Sequence, residues 1–173
     1  MFHNILVAVD GSPHADQALT EAIDLAQSEH ARLTLFTAIA PLPPLAYFGG
    51  ANAAVTAVVQ AAQAEAEAIL RRARERIPDD VSVTTVLSAE SVLPALIERI
   101  EEGHHDLVIM GSRGRGTVRS ALLGSVSHYV LHHGPVPVLI VHADPREQDE
   151  SSPTVGGENA RQPQLTGTQA PAS

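Results

Sequence analysis

Five short runs rich in Val, Ile and Leu punctuate the sequence, at Asn4–Val9, Arg32–Ala38, Val81–Leu87, Asp106–Met110 and Val136–His142. The first, fourth and fifth are almost unbroken apolar stretches, which calls for burial on both faces of a strand, as in a parallel sheet. Between the runs the apolar period changes to 3.6 residues. Ala15, Ala18, Leu19, Ala22, Ile23 and Ala26 mark one helix, with Ser12 placed to cap it and Pro13 at its first position. Val55, Val58, Val59, Ala62, Ala66, Ile69, Leu70 and Ala73 mark a second, which should be core or interface, with Glu67 and Arg71 four apart on its outer face. Leu93, Leu96, Ile97 and Ile100 mark a third, and a last helix ends before Gly134-Pro135. The order β-α-β-α-β-α-β-α-β describes an open α/β sheet with right-handed crossovers.

Composition then removes whole classes of chemistry. The chain of 173 residues has no Cys, which excludes disulfides, thiolate catalysis and Cys-ligated zinc or iron–sulfur clusters. All 11 basic residues are Arg, so no lysine can serve a P-loop or a Schiff base. A net charge of −9 disfavours nucleic acid and anionic membranes as partners. The apolar run at the start stops at Asp10, too short for a signal peptide of roughly 7–15 apolar residues or a spanning helix of about 20. A cytoplasmic location with no membrane contact is expected. Residues 1–143 should form the domain. The segment 144–173, with five acidic residues against two Arg and five hydrophobics, should be a disordered polar tail.

In open α/β sheets ligands sit beyond the carboxyl ends of the strands, at a topological switch point. Only the first and fourth strand-to-helix junctions carry loop chemistry: Asp10-Gly11-Ser12 and Gly111-Ser112-Arg113-Gly114-Arg115-Gly116. Glycines let backbone amides approach a ligand, and Arg113, Arg115 and Arg119 offer cationic forks for phosphate oxygens. Ten residues after Gly114 comes Gly124-Ser125-Val126-Ser127. The last helix could begin as early as Thr117 by periodicity, but the Gly124 interruption favours a start there, with free amides facing an anion. The long connection Pro41–Asn52 is either a lid or an idle surface excursion. Adjacent histidines, His104-His105 and His132-His133, point apart and complete no ligand set, so no protein zinc site is expected from them.

The spacing Gly111-x2-Gly114-x9-Gly124-Ser125, with ILVAVDGS at one end, DLVIMGSRGRG and LLGSVS in the middle and PVPVLIV at the other, resembles the universal stress proteins. The resemblance covers essentially all of residues 1–143. It implies a five-stranded parallel sheet of order 3-2-1-4-5, doubly wound and similar to the adenine nucleotide alpha hydrolases, which puts the two loaded loops side by side. It also implies a site for ATP with Mg2+ or Mn2+. In that site Ala8, Val9 and Ala38 would line the adenine pocket, and Met110 would lie beside sugar and base. Asp10 would take the ribose hydroxyls or help position the metal. Gly111, Arg113 and Gly114 would wrap the phosphates from one side, and Gly124, Ser125, Val126 and Ser127 would present amides and hydroxyls from the other. The family often has Gly, a small residue and Pro after the third strand. This chain has Ser88-Ala89-Glu90-Ser91 instead, at a junction expected to lie away from the nucleotide.

The resemblance further implies a regulatory ATP-binding protein of the stress response, with a regulatory protein partner of unknown identity and a homodimer formed through the last strand, Val136–Val141. With no lysine and no evident general base, hydrolysis should be slow at most. The alternative within the family is a nucleotide-independent interaction module. A response-regulator receiver, by resemblance, needs a Lys the chain lacks. A flavin carrier would need aromatic stacking, for which only Tyr47 and Phe48 stand outside the core runs. Ser125 lacks the glycine spacing of a hydrolase elbow.

Overall fold

A computed structural model of the chain describes residues 1–39, 52–116 and 123–143. Arg119, most of the Pro41–Asn52 connection with Tyr47 and Phe48, and the segment 144–173 lie outside the described residues. Five strands, β1 (Asn4–Ala8), β2 (Arg32–Ala38), β3 (Val83–Ser88), β4 (Leu107–Gly111) and β5 (Val138–Val141), alternate with four helices, α1 (Pro13–Glu29), α2 (Asn52–Glu75), α3 (Val92–Glu102) and α4 (Ser125–His133). All strand pairs are parallel and the order is β3-β2-β1-β4-β5. The expected doubly wound sheet is therefore the observed one, with β1 and β4 adjacent at the switch point.

Register explains why the central runs carry no polar alternation. Ile5 pairs with Leu33 and Leu107, and Val7 with Leu35 and Ile109, all pointing into one core against α1 and α2. The intervening Leu6, Phe36, Val108 and Met110 point the other way, into a second core with Ala95, Leu96 and Ile100 of α3 and Val130 of α4. Ile5, Leu6 and Val7 are consecutive and all fully buried. Burying each such side chain is worth about 1.5–3 kcal/mol, so a polar residue anywhere in the run would be costly.

Two strands start two residues later than their apolar runs suggest. The Val81 amide donates to Pro78 O, so Val81 belongs to a turn and enters the first core from there. Pro137 offers Val108 its carbonyl and has no N–H to return, so the β5 ladder begins at Val138. The start of β1 is fixed from the far side of the sequence. The Asp106 carboxylate accepts from the amides of His3 at 2.8 Å and Asn4 at 3.0 Å, and Asn4 Nδ2 donates to Gly103 O.

α2 departs from its sequence reading. Its 24 residues make a rod of about 36 Å, whereas the seven residues of β2 span about 23 Å. Only the later turns, through Ala66, Ile69, Leu70 and Ala73, can pack on the sheet. Val58 and Val59 in the first half stand 46% and 38% exposed. The overhang projects past the carboxyl ends of the strands, where it becomes a wall of the site.

Candidate functional site

β1 and β4 end side by side, and the loops that leave them are laced together. Val9 still bonds to Phe36 O, and the chain then turns through Gly11, whose φ of +76° lies in the left-handed region that favours glycine. Ser12 caps α1: its Oγ accepts from the Ala15 amide at 3.3 Å and donates to Arg113 O at 3.4 Å. Asp10 accepts from the Ser12 amide at 2.9 Å through Oδ1 and from the Arg115 amide at 3.0 Å through Oδ2. One carboxylate thus holds its own turn and the glycine-rich loop in fixed relation.

The second loop is anchored on the opposite side. Ser112 N donates to Val141 O and Gly124 N to Ser112 O, both at 2.7 Å, and Ser127 Oγ donates to Gly111 O at 2.8 Å. α4 begins at Ser125, as the Gly124 interruption suggested, and its N-cap, Gly124, has no side chain to cap the first turn. The first amides of a helix have no intrahelical partners and carry the positive end of its dipole. Arg113 is half-buried beside them, and its buried Nε has no hydrogen-bond partner among the described residues.

These elements enclose a cavity of about 860 Å³, within the range of small-molecule sites. All twelve site residues singled out in the sequence lie on its wall: Ala8, Val9, Asp10, Ala38, Met110, Gly111, Arg113, Gly114, Gly124, Ser125, Val126 and Ser127. Two details differ from the roles the resemblance implied, and a third from the loop chemistry read in the sequence. The Ser127 hydroxyl is buried and committed to Gly111 O, so its amide is its free donor. Gly111 serves packing: a Cβ there would lie 2.7 Å from the His14 carbonyl carbon and 2.9 Å from the Ala15 amide nitrogen. Arg115 is engaged by Glu65 of the α2 overhang.

The cavity also has walls that the sequence reading did not assign. Ala62, Glu65 and Ile69 of α2 close one side, and Val92, Leu93 and Leu96 of α3 with Tyr129 of α4 close another. The β3–α3 junction Ser88–Ser91 is absent from the cavity wall, but the first turn of α3, just beyond it, borders the site directly. Leu93 already belonged to an apolar stripe, but periodicity cannot say whether a stripe faces core or cavity. His14, at the start of α1, has its pKa lowered by burial first, then by Arg113 and His142, with Asp10 opposing.

A parallel sheet of order β3-β2-β1-β4-β5, with a glycine-rich loop and the N-terminus of α4 side by side at its switch point, defines a doubly wound α/β protein. A model of the universal stress protein family matches residues 1–142, and the chain belongs to that family. It is 37% identical over 144 residues to a universal stress protein of Thermus aquaticus, found in the 3′ region of a QAH/OAS sulfhydrylase, covering 82% of this chain and 99% of that one. Mycobacterial relatives are longer, and the chain spans 51% and 44% of two of them. Among solved structures, universal stress protein UspA from Lactobacillus plantarum aligns with a TM-score of 0.70 and 25% identity, over 81% of this chain and 97% of that one. A universal stress protein crystallised in complex with cAMP aligns at 0.53 and 26%, over 83% and 98%. No described helix is long and apolar enough to cross a membrane.

Proposed function

We propose that the cavity binds an adenine nucleotide, ATP with Mg2+ or Mn2+ foremost, and that the protein acts as a nucleotide-dependent regulator in the stress response. The observation that carries this reading is the half-buried Arg113, its Nε unpartnered, beside the uncapped first turn of α4. A buried guanidinium nitrogen without an acceptor is costly, and a phosphate oxygen would satisfy it together with the α4 amides. Gly114, Gly124, Ser125, Val126 and Ser127 would surround the phosphates. Ala8, Val9 and Ala38 would form the apolar slot for the base, Met110 would border the sugar, and Asp10 would take the ribose hydroxyls or the metal. The relative crystallised with cAMP supports the adenine part of the reading.

A divalent ion fits the donor set. Each Asp10 oxygen accepts a single amide and keeps a second acceptor direction. One carboxylate plus phosphate oxygens is an ordinary complement for Mg2+. When bound, the ion would neutralise phosphate charge beside Arg113. The remaining machinery for fast phosphoryl transfer is thin, since the sequence has no lysine and Arg115 is held by Glu65. ATP then acts as a conformational ligand, shifting the loops by its differential affinity for their states.

Calorimetric titration with ATP, AMP and cAMP in the presence of Mg2+ tests the reading. Saturable binding that Arg113→Gln weakens at least tenfold is expected; no binding of any adenine nucleotide overturns it. Phosphate release at saturating Mg-ATP should stay far below the roughly 1–100 s⁻¹ of kinases.

A further inference from the structure

The adjacent histidines point apart, but a different spacing brings two imidazoles together. His128 and His132 stand four residues apart on α4, which stacks their side chains on one face of the helix. Their ring centroids lie 4.5 Å apart with the planes tilted by 56°. Both side chains are exposed, and among the described residues no hydrogen bond or ion pair engages either ring. Their neighbours are occupied: His133 stacks on Tyr129 and its Nδ1 is bonded to Tyr129 O at 2.9 Å. His105 is buried with its Nδ1 at Arg99 O, and His3 lies against Asp106.

We propose that His128 and His132 form a two-imidazole site for a divalent transition ion of the zinc type. Imidazole nitrogens bind zinc at 2.0–2.1 Å, and two such rings on one tetrahedral ion put their centroids about 5 Å apart. The observed 4.5 Å is within about 1 Å of that separation, so a small side-chain adjustment brings both rings onto one ion. Histidines at i and i+4 on one helix face are the spacing that zinc-binding helices use. Neutral imidazole selects zinc, nickel or copper over magnesium, which prefers oxygen. No third His, Asp or Glu joins the pair among the described residues, so the other coordination positions belong to water or to an incoming ligand. His128 also lines the cavity. The proposal does not depend on the nucleotide reading, because the ion is held by the protein alone.

The test is calorimetric titration of the full chain with Zn2+ in a buffer that does not coordinate metal, with Mg2+ as the comparison. One zinc per chain is expected, weakened at least tenfold by either His128→Asn or His132→Asn and unchanged by His133→Asn. Nitrogen NMR of the histidine rings should show the resonances of His128 and His132 moving together with added zinc. Wild-type affinity in either His128→Asn or His132→Asn, or zinc-dependent shifts confined to other histidines, would overturn the proposal.

Discussion

Three glycines of similar appearance in the sequence do three different jobs, and one added methyl at each separates them. At Gly111 the new Cβ meets α1 backbone at 2.7–2.9 Å, so Gly111→Ala forces β4 and α1 apart. A loss of about 1–3 kcal/mol is expected, as for overpacking in a core. At Gly114 the Cβ falls 2.5 Å from Asp10 Oδ2, the atom that accepts from the Arg115 amide. Gly114→Ala should break that bond, costing about 1 kcal/mol, and weaken nucleotide binding as well. At Gly124 the nearest atoms are 3.5 Å away, ordinary contact, so Gly124→Ala should melt like wild type. Its methyl would stand between α4 and the 112–114 loop, in the proposed phosphate approach, and affinity should fall while stability does not. Melting curves paired with calorimetric titration of the three variants check this ordering; a destabilised Gly124→Ala would refute the assignment of that glycine to the ligand. The histidines make a separate prediction. Burial lowers the pKa of His105, and His14 shifts in the same direction. The unfolded chain therefore binds protons that the folded chain does not. Their contribution is complete above the ordinary histidine pKa of 6.5 and is lost as pH falls through the lowered folded values. Denaturant titrations at pH 7.5 and 5.5 should show lower stability at 5.5, by no more than about 1.4 kcal/mol per pH unit for each histidine. His105→Asn should flatten that slope. Asp106 acts lower on the scale: burial pushes its carboxyl up, but the amides of His3 and Asn4 outweigh burial and leave the pKa depressed. Its stabilisation is present above the ordinary carboxylate range and disappears as pH falls through the depressed value.

Among the elements, α1 was the most legible. Ser12, Pro13 and the Ala/Leu stripe name its start and its buried face, and both are as read. The same cap has a long-range partner that no local pattern reveals, because Ser12 Oγ also reaches Arg113 O, 101 residues away. Ser12→Ala should therefore cost more than a cap alone, somewhat above the typical 1 kcal/mol. It should also loosen the Arg113 loop, which a drop in amide-exchange protection at residues 113–115 would report. If only α1 amides lose protection, the two loops are not coupled through Ser12. α2 was the least legible. An apolar stripe reports which face of a helix avoids water, and it carries no information about where the sheet beneath it ends. The overhang that brings Ala62 and Glu65 to the cavity follows from relative lengths, visible only once strands and helix are set side by side. The first turn of α3 escaped for the same reason: Leu93 reads as core, and it faces a space the ligand is proposed to fill.

At the scale of the molecule, the strands were legible because burial on both faces leaves an unbroken apolar run, and the alternation of periods implied the parallel class. Strand order was not: nothing in the period of Asn4–Val9 says that β4 lies beside it, and that expectation came through the family resemblance. The same resemblance pointed to a dimer through the last strand, and the packing of β5 gives that proposal a sharper form. Val138 and Ile140 pack against the second core and Val141 against the first, whereas Leu139 is 42% exposed. Leu131 of α4 is half-exposed as well, and β5 is an edge of the sheet. An apolar edge strand invites pairing with another chain, and a second copy of the same edge satisfies it with closed symmetry. Leu139 is then the residue to change, because substituting Val138 or Ile140 would damage the monomer core and confound the result. Leu139→Arg should leave the monomer folded, since its side chain already meets solvent in the single chain. It should also abolish or greatly weaken the dimer, because a guanidinium buried against its own symmetry mate has no counter-charge. Size-exclusion chromatography with light scattering, over a range of concentrations, measures this directly. A wild-type dimer converted to a well-folded monomer by Leu139→Arg places the interface on β5. A dimer that persists unchanged in the variant rules this edge out.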